Sequence, residues 1–419
     1  MPLDIAFNDY NSLTLLLKNK LFNGQLLLFP KLSMHKKKIL FVIHSFIGGG
    51  AERVFINILK NIDRDVFDIE LAVGEYTGEL IFDIPKDIKI YELNAKRSYK
   101  AIIPLIKLVR GLKPDLVFSN VGFGVSSSFA SFLFPKRTKL IVRLGNTLSA
   151  HLDDVKQNFG LLYYYYYFIL NRSIFYFSDV VIVQSDYMRK DILRIYNLHN
   201  RYAEKIIKIR NPIDHKNILR LSKSNSSIDI FSNFSNKSPK IVSVGRIAYQ
   251  KGYDFLIKSF VGVVKEYPNI RLVVIGEGDM RSEIEGMVDR YNLNDNIDIL
   301  GFKKNPYCVI AKSDIFISSS RYEGFSNAII ESLALGVPVV ATDCPSGIRE
   351  VLNDGVNGWL SPMYPNTVEN LSNTILKSIR EYQSLSMKKE RLKVIKDYNV
   401  ESIVLEYENF FLNLIETFE

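Results

Sequence analysis

The sequence predicts an α/β chain of two domains, each a parallel sheet covered by helices on both faces. Three observations carry this expectation. The chain has 419 residues, too many for one ordinary core and suited to two domains of about 200 residues each. Its apolar runs are short and continuous, the pattern of strands buried on both sides, and they alternate with helical stretches. That alternation occurs twice, with a polar stretch between the two series.

In the first series, Lys38 to His44 reads as a buried strand, and Gly48 to Gly50 follow it. Ala51 to Lys60 then reads as a helix with Val54, Ile58 and Leu59 on one side. Further strands are expected at Phe67–Val73, Ile88–Leu93, Leu116–Ser119, Leu140–Arg143 and Val180–Val183, with helices at Ala101–Gly111 and Tyr163–Phe177. Lys205 to Ile209 is one more strand and ends in Arg210-Asn211-Pro212-Ile213-Asp214. The Ser/Asn-rich stretch Ser222 to Ser238 has linker composition. The second series has strands at Ile241–Val244, Arg271–Ile275, Ile297–Leu300, Ile315–Ser318 and Val337–Ala341. Its helices begin near Gly252, Asp279 and Phe325, and the final stretch Glu401–Ile415 is a candidate to cross back onto the first domain. The expected division is an arm or non-native extension over 1–35, a Rossmann-like domain over 36–212, a polar linker over 213–239, a second Rossmann-like domain over 240–400, and the last helix over 401–419. Two such sheets facing each other place their strand carboxyl ends on one cleft, where ligands of this architecture bind.

Hydrophobic residues make up 47% and charged residues 24%, which suits a globular protein and excludes disorder over most of the length. The net charge is +9. A basic surface serves phosphates, nucleic acid or anionic lipid. There is no zinc-finger spacing and no base-reading basic helix, so nucleic acid is not an expected partner. A membrane surface or a phosphorylated ligand remains, beside a basic surface with no dedicated partner. The two cysteines, Cys308 and Cys344, form no disulfide framework and no C-x-x-C metal motif, which fits a reducing compartment. No run reaches 18 uninterrupted apolar residues, so no transmembrane helix is expected. Residues 1–35 are too fragmented for a signal peptide, and Met34, just before a lysine run, is an alternative natural start.

Three constellations sit in strand-to-helix loops. The first runs Arg321-Tyr322-Glu323-Gly324-Phe325-Ser326-Asn327-Ala328-Ile329-Ile330-Glu331. A helix beginning near Phe325 or Ser326 offers free N–H groups and the positive end of its dipole to an anion. Glu323 precedes that end, and Glu331 lies about 12 Å away along a helical rise. Two carboxylates spaced so can accept from hydroxyls on either side of a bound diphosphate; the plainer alternative is a lysine pair for Glu331 and a loop carboxylate at Glu323. The second constellation, Val244 to Gly252, places Arg246 and Lys251 beside the same cleft, two cations suited to a departing diphosphate, or else an ordinary solvated loop. The third, Gly48-Gly49-Gly50-Ala51-Glu52-Arg53, is a glycine loop opening a helix, a generic phosphate-approach device that lacks the dinucleotide fingerprint.

Together these stretches resemble glycosyltransferase family 4, the group 1 glycosyltransferases of the GT-B fold. The matching segments are IGGGAERV at Ile47–Val54, NPID at Asn211–Asp214, VGRIAYQKG at Val244–Gly252, VVIGEGDMR at Val273–Arg281, Gly301-Phe302, and the long run Ser313–Leu352. The resemblance covers about residues 40–415 and is most specific in the second domain. It implies that the first domain takes the acceptor and the second the nucleotide-sugar donor. Glu323 would bind donor-sugar hydroxyls and Glu331 the ribose. Arg246 and Lys251 would bind the diphosphate, helped by backbone amides of Phe325, Ser326 and Asn327 and by the loop at Gly49 and Gly50. Glu277 and Phe302 would lie near the base. The resemblance further implies transfer with retention, with Glu323, Arg246 and Lys251 carrying the chemistry, no cofactor beyond the co-substrate, and no metal. The one D-x-D, Asp63-Arg64-Asp65, lies away from the strand ends and reads as a solvated turn.

One departure stands out. Many relatives carry a cleft histidine in the loop after the strand matching Leu140–Arg143. Here that loop is Arg143-Leu144-Gly145-Asn146-Thr147. Arg143 and Asn146 are the acceptor-side candidates instead, a variation associated with bacterial surface-polysaccharide enzymes, and His44 at the end of the first strand is a third. The run Leu161 to Phe168, with five consecutive tyrosines, either packs as a helix on the first sheet or docks on a membrane with Arg172. The expectation is a hexosyl or N-acetylhexosaminyl transferase using a UDP-sugar, acting on a lipid-linked or saccharide acceptor for lipopolysaccharide O-antigen, capsule or exopolysaccharide. It would work in the cytoplasm, peripheral on the inner face of the membrane. The alternatives are a relative acting on a small soluble acceptor, a nucleotide-sugar epimerase, and a non-catalytic nucleotide-sugar-binding subunit.

Overall fold

The computed structural model describes residues 35–47, 49–198, 200–224, 230–231, 238–384 and 387–416. The expectations for the N-terminal arm and for Met34 lie outside the described residues. So do Gly48 and most of the polar stretch 222–238.

From Lys37 the chain runs β1 (Lys37–Ile43), α1 (Gly50–Asn61), β2 (Phe67–Val73), β3 (Lys89–Glu92), α2 (Ile102–Leu112), β4 (Leu116–Asn120), α3 (Gly124–Ala130), β5 (Lys139–Arg143), α4 (Leu148–Phe159), α5 (Leu161–Phe177), β6 (Val180–Val183), α6 (Asp186–Tyr196), α7 (Asn200–Ala203), β7 (Ile206–Lys208) and α8 (His215–Ser222). Its seven strands are parallel and ordered β3-β2-β1-β4-β5-β6-β7. Neighbouring residues of β1 point to opposite faces. Leu40 and Val42 join a core with α2, α3, α4, α5 and α6 on one side, and Ile39, Phe41 and Ile43 join another on the far side. On that far side Phe118 stacks on Phe55 at 4.9 Å, and Phe41 meets Phe55 edge-on at 5.4 Å, the offset and T-shaped arrangements aromatic rings prefer.

The second half runs β8 (Lys240–Val244), α9 (Tyr253–Glu266), β9 (Arg271–Ile275), α10 (Arg281–Arg290), β10 (Ile297–Ile299), α11 (Tyr307–Ile310), β11 (Ile315–Ser318), α12 (Asn327–Leu335), β12 (Val339–Thr342), β13 (Gly358–Ser361), α13 (Thr367–Glu381), α14 (Met387–Asp397) and α15 (Val400–Glu416). Its six strands are also parallel, ordered β10-β9-β8-β11-β12-β13. Both halves are Rossmann-like, and together they form the GT-B architecture.

The helix α15 lies on the first sheet. Its Phe411 ring is 5.4 Å from Phe118 and 6.4 Å from Phe67, and Tyr407 is 5.7 Å from Phe118. The chain therefore passes between the halves twice, and the two passages run side by side. The Ile213 amide donates to the Tyr398 carbonyl at 2.8 Å, within a parallel bridge between Ile213 and Asn399.

Several elements go beyond the sequence expectation. β13 opens on Gly358, a poor strand former, and is ordered by its parallel pairing with Val339–Thr342. α4, α6, α13 and α14 are amphipathic helices hidden in polar-rich sequence; α13, for example, buries Leu371, Ile375 and Ile379. The helix after β11 starts at Asn327, one or two residues later than expected. Ser326 stays extended at φ −78°, ψ 108° as its N-cap, because the Gly347 amide draws the preceding loop aside by donating to the Gly324 carbonyl at 3.2 Å.

Candidate active site

The loop after β11 carries Glu323, a residue 7% exposed. Lys251 Nζ donates to Glu323 Oε1 at 2.5 Å, and the Ser320 hydroxyl donates to the same oxygen at 2.8 Å. Gln250 Nε2 reaches Oε2 at 3.5 Å and the Tyr322 carbonyl at 3.1 Å. Lys251 ends a tight turn because Gly252 adopts φ +62°, a conformation glycine takes freely. A clamp holds that turn from behind. Arg321 forks onto Asp254 at 2.6 and 2.7 Å, donates to the Tyr249 carbonyl at 3.0 Å, and lies between the Tyr249 and Phe255 rings at 4.0 and 3.9 Å.

Beyond Glu323 the chain turns into α12. The N–H groups of Phe325, Ser326 and Asn327 find no acceptor among the described residues, so the helix end presents three donors and the positive end of its dipole. Phe325 itself is buried, with its ring 5.5 Å from Tyr398, so its backbone rather than its side chain faces the site. Arg246, after β8, is exposed, and its guanidinium makes no hydrogen bond or ion pair to the described residues.

Glu331 lies one turn into α12 and is 9% exposed. It accepts from the Tyr307 hydroxyl at 3.2 Å. Arg53 of α1 reaches across the cleft to that hydroxyl at 3.3 Å. Burial pushes the Glu331 carboxyl above the ordinary carboxylate range, and Arg53 partly offsets it. Glu277 follows β9 and is exposed, ion-paired to Arg281. Phe302 follows β10 and is half-buried. Thus Glu323, Lys251, Arg246, Glu331, Glu277 and Phe302 all lie at strand carboxyl ends or the following helix of one sheet.

The first half meets this site along several lines. Asn327 Nδ2 donates to the Gly50 carbonyl at 2.8 Å, and Asn211 Nδ2 donates to Asn327 Oδ1 at 2.7 Å. The glycine loop therefore abuts the N-terminus of α12. The Thr147 hydroxyl donates to the Glu323 carbonyl at 2.5 Å. Gly324 packs against Gly145 so closely that a Cβ there would strike the Gly145 carbonyl oxygen. Asn146 Oδ1 accepts from Gln250 at 3.3 Å, Asp154 from Tyr322 at 2.8 Å, and Gln157 from Tyr249 at 3.1 Å. Glu350 accepts from the first amide of α6 at 2.8 Å and pairs with Lys208 at 2.6 Å. The cleft is closed.

The acceptor-side candidates fall in different surroundings. Asn146 lines the contact with Gln250. Arg143 is 1% exposed and donates to Asn211 Oδ1 at 2.5 Å. The Tyr407 hydroxyl lies beside its guanidinium without a well-formed hydrogen bond, leaving Nε and Nη1 unpaired. Burial pulls this guanidinium below its usual range. His44 sets Nε2 3.2 Å from the Lys96 carbonyl and its ring 5.4 Å from Phe123, partners within the first half. Asp63-Arg64-Asp65 forms a turn, with Arg64 paired to Asp87 at 2.8 Å.

Sequence reasoning missed Arg53, Tyr307, Thr147, Gln250 and Ser320 as site residues. It also passed over Glu52, whose carboxyl folds back on Gly49 near Arg246 and Arg143 and is raised above its usual range by burial. Glu52 and Arg53 sit in the glycine-loop motif and Thr147 beside Asn146, so position alone could have flagged them. Tyr307 carries no signal.

Known proteins bear on this arrangement. The family "Glycosyltransferase Family 4" matches residues 48–217, and "Glycosyl transferases group 1" matches residues 225–396. An uncharacterized glycosyltransferase of Methanocaldococcus jannaschii is 31% identical over 263 residues, 62% of this chain and 63% of that protein. The N-acetylgalactosamine-N,N'-diacetylbacillosaminyl-diphospho-undecaprenol 4-alpha-N-acetylgalactosaminyltransferase of Campylobacter jejuni is 28% identical over 335 residues, 77% of this chain and 86% of that enzyme. Among solved structures, Anabaena HepE in complex with UDP-glucose superposes with a TM-score of 0.71 at 20% identity, over 90% of this chain and 99% of that one. The chain belongs to the family 4, group 1 glycosyltransferases of the GT-B fold.

Proposed function

We propose that this glycosyltransferase moves a hexose or N-acetylhexosamine from a UDP-sugar, with retention and without a metal, to a lipid-linked or saccharide acceptor of a bacterial surface polysaccharide. It would act at the inner face of the cytoplasmic membrane. The observation that carries this reading is the Glu323–Lys251 pair beside the free N-terminus of α12, with the exposed Arg246 on the loop after β8 of the same sheet. In the proposed complex Arg246, Lys251 and the three amides hold the diphosphate. Glu323 releases part of its grip on Lys251 and accepts from donor-sugar hydroxyls, while Glu331 turns from Tyr307 to the ribose. Glu277 and Phe302 border the base.

The acceptor hydroxyl oxygen bonds to the anomeric carbon as the bond from that carbon to the phosphate oxygen breaks. The electron pair stays on the phosphate, and the acceptor proton passes to a phosphate oxygen on the same face. No protein nucleophile is needed. Cys344, the nearest thiol, is pushed up to about 12 by burial and stays protonated. The negative charge growing on the leaving diphosphate is met by two cations and a helix end in a closed cleft, where fixed charges act most strongly. The relatives support the parts this chain leaves open: the Anabaena protein binds UDP-glucose, and the Campylobacter enzyme's name gives a diphospho-undecaprenol acceptor and an alpha product.

Ligand-induced thermal stabilisation across nucleotide-sugars tests the donor reading. A donor at 100 times its dissociation constant should stabilise the protein by about 2.7 kcal/mol. UDP-sugars should raise the melting temperature and GDP- or ADP-sugars should not. A flat response to every UDP-sugar would overturn the donor assignment.

A further inference from the structure

The outer side of one layer of the first half has no role in the site. α2, α3, α5 and α4 pack side by side in that order over the sheet, with their inner residues in one core. The outer side is unusual in two ways. First, it is apolar. α5 carries no charged side chain from Leu161 to Ile169, and a helix apolar all round needs apolar surroundings. Yet this half of α5 stands in solvent, with Leu162 86% and Ile169 66% exposed and Tyr163, Tyr165 and Tyr166 more than half so. The patch continues across Phe177 to Phe132, whose ring lies 4.3 Å from it and is 63% exposed.

Second, this part of the chain is basic. Residues 95–177 hold twelve lysines and arginines against three aspartates; of these, Arg143 is buried in the cleft and Lys139 is buried beside Asp179, so the surface charge comes from the others. α2, α3 and α5 contain no acidic residue at all. Lys107, Arg110, Lys136 and Arg137 are exposed, and none is paired with a carboxylate among the described residues.

Tyrosines and leucines beside free cations suit the boundary of an anionic bilayer, where rings sit at headgroup level and each basic side chain adds attraction. Stable attachment takes two signals rather than one, and both are present here. A second copy of the chain would bring its own net positive charge to the same face, so self-association is disfavoured.

We propose that the outer face of α2, α3 and α5 is a docking surface for anionic lipid, with the start of α5 inserting and Lys107, Arg110, Lys136 and Arg137 lying on the headgroups. This deepens, and rests on, the membrane reading given above. It also explains how the cleft would meet a lipid-linked acceptor. α4, joined to α5 through Gly160, carries Asp154 and Gln157, the partners of Tyr322 and Tyr249. The inserted α5 thus reaches the closed cleft through α4.

The test is co-sedimentation of the full chain with phosphatidylcholine vesicles, with and without phosphatidylglycerol. Binding should require phosphatidylglycerol and weaken with salt. Lys136→Gln with Arg137→Gln should weaken it roughly twenty-five-fold, at about fivefold for each cation. Leu162→Ser with Tyr166→Ser, which removes apolar contact and no charge, should weaken it at least several-fold and leave the salt dependence in place. Both variants should keep the wild-type melting temperature and UDP affinity. Equal binding to both vesicle types, or variants that bind like wild type, would overturn the proposal. So would a concentration-dependent dimer, abolished by Leu162→Ser with Tyr166→Ser, in a protein that ignores vesicles. Vesicle binding needs neither donor nor acceptor. Docking without sugar transfer would therefore sink only the transferase reading, and transfer without docking only this one.

Discussion

Replacing Glu323 by alanine separates its observed role, as partner of Lys251, from its proposed one, as anchor of the donor sugar. The first role is visible in the 2.5 Å contact between Lys251 Nζ and Glu323 Oε1, where the lysine side chain is 24% and the carboxylate 9% exposed. Lys251 keeps enough contact with solvent that losing its partner should cost about 1–2 kcal/mol of stability, below the figure for a fully buried pair. The second role is larger. A hydrogen bond to a charged group contributes roughly 1.5–3 kcal/mol, and two sugar hydroxyls on one carboxylate give about 3–6 kcal/mol. Expressed in the transition state, that is a fall in turnover of roughly a hundredfold to ten-thousandfold. UDP itself carries no sugar, and the freed Lys251 remains beside its phosphates. UDP affinity should therefore hold or rise while kcat collapses. Steady-state UDP release with a saturating acceptor measures kcat, and calorimetric titration measures UDP binding. A variant within fivefold of wild-type kcat would refute the assigned role. Parallel loss of UDP affinity would mean that Glu323 only holds the site together.

Three further outcomes are expected. Arg321→Lys keeps the charge but loses the fork onto Asp254 and the stacking on Tyr249 and Phe255; the melting temperature should drop by several degrees with a rise in KM, and an unchanged melting curve would refute the clamp. Tyr322→Phe removes the hydroxyl that joins the halves through Asp154 at 2.8 Å. It should raise KM a few-fold at about 1 kcal/mol with little change in stability, and no change in either constant would show that this contact does not serve closure. Glu331 is a buried carboxyl held above its ordinary range, so its ionisation opposes folding. Its penalty is absent below the unfolded value of 4.5 and grows as pH rises through the higher folded value. Glu331→Gln should therefore gain stability over wild type as pH rises from 4.5 through that folded value and hold the gain above it, and a difference independent of pH across that window would contradict the assignment.

Much of the architecture is legible because buried parallel strands write themselves as continuous apolar runs; Phe67–Val73, Val180–Val183 and Arg271–Ile275 end where the pattern says. Elements that depend on partners are less so. Gly358–Ser361 becomes a strand through Val339–Thr342 alongside it, and α13 hides its four core residues, Leu371, Ile375, Leu376 and Ile379, among polar ones. The pattern 401–415 announces an amphipathic helix, but Phe67 and Phe118, some three hundred residues earlier, decide where it lies. The site divides in the same way. Glu323, Lys251, Arg246 and Glu331 stand in short motifs, each beside the backbone it uses. Asp154 and Gln157 act only across the closed cleft, on residues far away in sequence; Tyr307 meets Glu331 within its own half and Arg53 across the cleft, and no local spacing marks any of them.

The central claim is sugar transfer from a nucleotide donor at the cleft of Glu323, Lys251 and Arg246. UDP release from a panel of UDP-hexoses and UDP-N-acetylhexosamines, with and without a polyprenyl-diphosphate saccharide, tests it most directly. The account predicts acceptor-dependent UDP release with at least one donor, lost in Arg246→Ala and Glu323→Ala. Release that persists in both variants, or no release with any donor and acceptor, would contradict it.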